Sequence, residues 1–158
     1  MNARAAAAEP FASERQYVTA RVGGQLFGLP ILAVNEVFEP EGIARVPLAP
    51  PVIEGVLNLR GRIVTMIGLR SLLGFPPNGA DERSMAIGVE LKGEAYGLLI
   101  DEVGDVMRLD AARHEPVPSN LDRRWAEIVS GVHRLEHELM LIIDVERVLG
   151  GVLEPHLN

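Results

Sequence analysis

The sequence contains no cysteine, which excludes disulfides, thiolate zinc sites and cysteine nucleophiles together and fits a cytoplasmic chain. Lysine is almost absent too: Lys92 is the single Lys among 15 basic residues, which face 22 Asp and Glu for a formal charge of −7. Affinity for a phosphate backbone comes largely from clustered Lys and Arg, so this balance argues against nucleic acid as a partner. Aromatics are equally sparse. Phe11, Tyr17, Phe27, Phe38, Phe75, Tyr96 and Trp125 are scattered singly and build no stacking platform for a single strand. Long apolar runs are missing as well: the longest uncharged stretch, Val22 to Asn35, is 14 residues and is broken by Gly23, Gly24, Gly28 and Pro30. A membrane helix needs about 20 apolar residues, so direct membrane insertion is not expected. Residues 1–16 hold an Ala run without an apolar signal core and read as a disordered tail.

What is present is a chain of 158 residues, 47% apolar, enough for one domain or two small lobes sharing a core. Tyr17 to Val22 and Gln25 to Leu29 flank Gly23-Gly24 and predict a hairpin. Ile31, Val34 and Val37 recur at spacing three and predict one helical turn. Val46-Pro47-Leu48-Ala49-Pro50-Pro51 is neither helix interior nor central strand, because its prolines lack donors. Gly55 to Leu59 and Arg62 to Leu69 hinge on Arg60-Gly61 as a second hairpin, and a short helix follows to Gly74. Phe75 to Arg83 is the clearest internal break. Beyond it come Met85 to Leu91, Ala95 to Val103, Asp105 to Leu109, Ile128 to Leu135 and Leu139 to Ile143. At least nine short strands without strand-helix alternation favour small barrels over a parallel α/β sheet. Leu121, Trp125, Ile128 and Val129 predict a short amphipathic helix capped by Ser119 or Asn120, and a last helix follows Asp144. No repeat of 20 to 50 residues is evident.

Chemistry has few places to reside. The chain has no phosphate-cradling Gly-x-x-x-x-Gly-Lys and no Gly-x-Ser-x-Gly elbow. His133 and His137, with Glu136 and Glu138, have metal-like spacing only on a helix, whereas they sit between two β-like runs and read as an exposed hairpin turn. Asp101, Glu102 and Asp105 read as a strand end and turn, or as a surface for an Arg-bearing partner. Arg60, Arg62 and Arg70 flank Gly61 within one predicted hairpin and read either as a solvated turn or as an Arg fork placed to meet a carboxylate across an interface. Many short strands also leave edges, which are templates for partner binding.

The run from Leu48 to Ile63, with Gly55-Val56-Leu57-Asn58-Leu59-Arg60-Gly61 at its centre, resembles the signature of the chemotaxis coupling protein family, the CheW-like domains. The resemblance extends to Tyr17–Glu36, to Gly97-Leu98-Leu99-Ile100-Asp101-Glu102-Val103 and to Leu141–Leu149, covering about residues 17–150. It implies a mainly β fold of two five-stranded SH3-like barrel lobes around a shared apolar core, expected at about 17–75 and 84–150 with strands free to cross, followed by a tail at 151–158. It implies no catalysis, no cofactor and no metal.

Members of this family are adaptors that link the cytoplasmic signalling tip of methyl-accepting chemoreceptors to the regulatory domain of the chemotaxis histidine kinase. The implied location is the cytoplasm, at the inner face of the membrane through receptor arrays, with a monomer when free. Carried over by position, Ile31, Val34, Glu36, Val37, Gly55, Asn58, Arg60, Gly61 and Ile63 lie at or near the partner surface. Gly61 suits a turn that needs positive φ, and Gly55 lets a partner helix approach the backbone. The chain departs from the family at Thr65 and Gly68, where a Pro and an Asp are usual; Gly68 suggests a bulge and an altered hairpin edge. Alternative readings are a coupling protein of a related non-flagellar array, a detached domain of a larger chemotaxis protein, and, in a different class, an OB-type barrel for a small ligand or oligonucleotide.

Overall fold

The structure, a computed structural model, describes residues 14–79 and 83–153. The expected N-terminal tail lies outside the described residues up to Ser13, whereas Glu14 to Gln16 already belong to the first strand. The expected C-terminal tail lies outside them from Glu154 onward, and residues 151–153 end the last helix. Among the described residues, ten strands and three α-helices follow in order: β1 (Glu14–Val22), β2 (Gln25–Pro30), β3 (Glu36–Phe38), β4 (Ile53–Leu59), β5 (Arg62–Gly68), α1 (Leu69–Leu73), β6 (Met85–Leu91), β7 (Glu94–Ile100), β8 (Glu102–Asp110), α2 (Arg123–Ala126), β9 (Val129–Arg134), β10 (Leu139–Ile143) and α3 (Val145–Leu153).

The strands form two five-stranded sheets, ordered β8-β1-β2-β10-β9 and β3-β6-β7-β5-β4. Sheet membership does not divide at the 75–83 break, so the expected sequential lobes are replaced by interleaved ones. Lobe one takes both ends of the chain and lobe two takes its middle. The break instead separates two repeats, β1 to β5 and β6 to β10. Each repeat gives its leading hairpin to one sheet and its other three strands to the other, joined by the parallel pairs β2·β10 and β7·β5. Phe27-Gly28-Leu29 matches Tyr96-Gly97-Leu98, and Gly55-Val56 matches Gly131-Val132. This repeat is longer than solenoid periods.

Each lobe is closed by the chain leaving its short or outer strand. After β3, Ala44 bridges Val56 on β4 through two backbone hydrogen bonds of 2.7 and 2.8 Å; after β8, Glu115 bridges Val132 on β9 in the same way. Closure protects edge strands that would otherwise expose unpaired groups. Alternation along the strands then sends side chains to separate cores. Tyr17, Leu26, Met140 and Ile142 fill lobe one, while Leu57, Val64, Met66 and Ala86 fill lobe two. A larger core between the sheets draws on both, with Phe27, Leu29, Ile67, Ile87, Leu98, Ile100, Ile143 and Leu149 fully buried.

Three local expectations change. The turn predicted over residues 31–37 is a short 3₁₀ turn at Ile31–Ala33, because Val37 is taken into β3 by pairing with Ile87. The helix predicted from Leu121 to Val129 shrinks to α2, capped by Asp122 and not by Ser119 or Asn120, because Val129 enters the β9 ladder. His133 lies on β9 and is only 2% exposed, while His137 occupies the exposed turn before β10.

Candidate functional site

The β4–β5 hairpin turns on Arg60 and Gly61, both at positive φ (54° and 87°), the geometry whose twist suits a two-residue hairpin. The Asn58 side-chain oxygen accepts the Gly61 N–H at 2.7 Å and locks this turn. Arg60 reaches across to the edge strand β3, donating to both carboxylate oxygens of Glu36 at 2.5 and 2.6 Å. Arg62 pairs with Glu90 at 3.4 Å and donates to the Gly93 carbonyl at 3.0 Å. Between these residues lies a cavity of about 210 Å³ lined by Asn35, Glu36, Phe38, Leu59, Arg60 and Arg62 among others. Ile63 follows the turn with its side chain outward, 59% exposed, because its neighbour Val64 takes the inward position.

Glu36, Asn58, Arg60, Gly61 and Ile63 are therefore brought together around one turn and one edge strand. Ile31, Val34 and Val37 lie on the crossover from β2 to β3, with Ile31 and Val34 packed against the inter-lobe core and Val37 exposed. The Arg60–Glu36 pair links these two groups. Gly55 does not join them. It is buried at φ 147°, and a Cβ there would run into the Ala44 carbonyl. Its lack of a side chain serves the closure of lobe two, not the approach of a partner helix.

The three arginines also differ from expectation. All three meet carboxylates of their own chain, and Arg70 is on α1, away from the hairpin. Asp101 receives Arg70 Nε and Nη2 at 2.9 Å each, the Gly23 N–H at 2.9 Å and Asn78 Nδ2 at 3.2 Å. Burial pushes the Asp101 carboxyl up, but these hydrogen bonds and the Arg70 charge outweigh it and hold it below the usual carboxylate range. Asp101 thus joins the β1–β2 turn of lobe one to α1 of lobe two, and is committed to the fold. Trp125 adds a second tie, donating Nε1–H to the Leu73 carbonyl at 2.8 Å while its ring meets Phe27 and Phe75.

The Gly68 departure has a local meaning. Gly68 sits at the N-cap of α1, which has no side-chain cap, whereas the matching position before α3 is Asp144, whose carboxylate accepts the Arg147 N–H at 3.1 Å. A Cβ at Gly68 would lie 2.7 Å from a Glu54 carboxylate oxygen. The ladder irregularity expected at Gly68 falls instead on β4, between Ile53 and Gly55, opposite Ile67 and Met66. Two further large apolar residues stand in solvent: Leu32, 97% exposed on the 3₁₀ turn, and Leu48 of the Pro-rich connector, fully exposed at φ 66°. No helix among the described residues is long and apolar enough to cross a membrane.

Comparison with known proteins agrees with this architecture. The family model described as CheW-like domain matches residues 16–152. The chain is 28% identical over 137 residues to the Chemotaxis protein CheW of Klebsiella aerogenes, covering 87% of this chain and 82% of that one. It is 28% identical over 134 residues to that of Helicobacter pylori, covering 85% and 81%. The crystal structure of the scaffolding protein TtCheW from Thermoanaerobacter tengcongensis superposes with a TM-score of 0.74 at 32% identity, over 82% of this chain and 88% of that chain. The chain belongs to the CheW-like domain family and is a non-catalytic chemotaxis adaptor of two SH3-like lobes.

Proposed function

We propose that this adaptor joins the cytoplasmic signalling tip of methyl-accepting chemoreceptors to the regulatory domain of the chemotaxis histidine kinase, and so biases kinase activity. The contacts are made by the crossover residues Ile31, Val34 and Val37 and by the hairpin residues Asn58, Arg60, Gly61 and Ile63, with Glu36 between them. The observation that carries this reading is Ile63, a large apolar side chain left in solvent beside the Arg60–Glu36 pair on a turn locked by Asn58. Arg is enriched among binding hot spots, and a preorganised turn loses less conformational freedom when a partner covers it. The protein works in the cytoplasm, reaches the inner face of the membrane through the receptors it binds, and is a monomer when free.

The test is co-sedimentation with receptor signalling fragments and, separately, with the kinase regulatory domain at tens of micromolar. Ile63→Asp and Arg60→Ala should each weaken at least one contact about tenfold or more, with unchanged melting temperatures. Failure of the wild-type chain to bind either partner overturns the adaptor reading. Undiminished binding by both variants overturns the placement of the surface.

A further inference from the structure

We propose that lobe one is closed by an acid-releasable strap, residues 111–115, whose seat on β9 depends on His133 remaining neutral. The strap leaves β8 through a 3₁₀ turn at Ala111–Arg113, secured by the Asp110 carboxylate accepting the Ala112 N–H at 2.9 Å. Glu115 then pairs with Val132 through two backbone hydrogen bonds of 2.9 Å, and its carboxylate receives Arg134 Nε at 2.9 and 3.1 Å. The His114 ring lies over Gly131, where a Cβ would overlap its Nε2. Its edge meets the His133 ring at 5.6 Å between centroids, and on another side His133 meets Tyr17 at 5.5 Å. His133 is thus enclosed by the strap, by Tyr17 from β1 and by Met140, its cross-strand partner on β10.

The enclosure is poorly suited to a cation. Among the described residues, the one hydrogen-bonding contact of the His133 ring is to the Tyr17 hydroxyl at 3.5 Å from Nε2, too long to satisfy a charged imidazolium. The charged and titratable groups facing it are Tyr17 and, beyond it, Arg15 from β1, Asp110 at the end of β8, and His114 and Glu115 in the strap. Burial and the His114 charge make protonation harder, and Glu115 and Asp110 offset this only in part, so His133 titrates below its ordinary value.

A group with a lowered folded value stabilises the closed form above its free value, about pH 6.5, and loses that contribution as pH falls from there through the folded value. Peeling the strap is the shortest route by which a protonated His133 reaches water, since, among the described residues, two backbone hydrogen bonds and one exposed ion pair hold it to β9. Release frees the edge of β9, a row of backbone donors and acceptors. The lobe that does not carry the Arg60 turn would then respond to acidification independently of the partner surface proposed above.

Amide hydrogen exchange of the full chain at pH 7.5, 6.5 and 5.5, corrected for intrinsic rates, tests this. The opening constant at Glu115 and Val132 should rise up to about fivefold between pH 6.5 and 5.5, while that at Ala44 and Val56, the matching closure of lobe two, stays constant. His133→Leu should flatten the response, and in His114→Asn the His133 ring signal should titrate closer to the free imidazole value. The proposal is overturned by pH-independent protection at Glu115 and Val132, by the same pH response in His133→Leu, or by a wild-type His133 that titrates at or above the free value.

Discussion

Asp101→Ala isolates the tie between the lobes. The substitution removes an acceptor from Arg70, from the Gly23 N–H and from Asn78 at once. Breaking one side of a fully buried ion pair costs about 3–5 kcal/mol, because the surviving charge is left unpaired. Here the Arg70 and Asp101 side chains retain 24% and 19% exposure, and Arg70 keeps the Pro76 carbonyl at 2.6 Å. The loss should therefore be about 2–3 kcal/mol, the range of a hydrogen bond to a charged group, a large share of the about 5–15 kcal/mol that holds a domain together. Urea unfolding should show the midpoint falling by about 1–2 M. A cycle with Arg70→Met should return a coupling of about 1–2 kcal/mol. Because the folded carboxyl titrates below its free value, its contribution is complete above about pH 4 and is lost as pH falls through the folded value. Asp101→Asn should accordingly flatten the acid limb of the stability curve. A cost under about 0.5 kcal/mol for Asp101→Ala, or an additive cycle, would refute the assignment of this residue as the tie.

Gly55→Ala should lower stability by about 2–3 kcal/mol, combining left-handed strain with a clash against Ala44; calorimetry should show a melting point lower by roughly 5–10 °C. Gly68→Asp alone should gain nothing from its new cap, since its carboxylate meets that of Glu54; in a Glu54→Ala background the same change should recover about 1 kcal/mol in urea unfolding, and an equal effect in both backgrounds would dismiss the clash. Glu36→Gln should change stability by no more than about 1 kcal/mol, because its pair with Arg60 is exposed.

The strands were legible because their signals are local. Gly23-Gly24 and Arg60-Gly61 each place two left-handed residues between apolar runs, and alternation does the rest. The partition into lobes was not legible, because it depends on the parallel pairs β2·β10 and β5·β7, which join residues over 30 to 110 positions apart and leave no local trace. The residues of the candidate surface came from the family resemblance. Their arrangement did not: that Glu36 faces Arg60, and that Gly55 answers to Ala44, follow from how the chain between β3 and β4 wraps to close lobe two. His133 lies inside the predicted run Ile128 to Leu135, and reading it as part of an exposed turn fails because one position of register decides whether a strand residue points inward.

The repeat also explains why two lobes of one design present different chemistry. In lobe two the hairpin turn is tied to the hairpin strand behind it by Arg62 and Glu90; in lobe one the equivalent tie joins Glu138 to Arg21, with the charges exchanged. The Arg21 side chain holds the Glu138 carboxyl below its usual range, by hydrogen bond first and charge second. Both polarities occur at matching positions, closer in Arg21–Glu138 at 2.7 and 3.0 Å than in Arg62–Glu90 at 3.4 Å, so the fold constrains the pairing and leaves its sign free. The consequence is a basic turn at Arg60-Gly61-Arg62 and an acidic one at Glu136-His137-Glu138. A partner that docks on backbone shape would find two similar ends on this molecule; a partner that reads charge finds one. Discrimination between the lobes therefore rests on a few turn side chains, and those can change without disturbing any of the three cores beneath them.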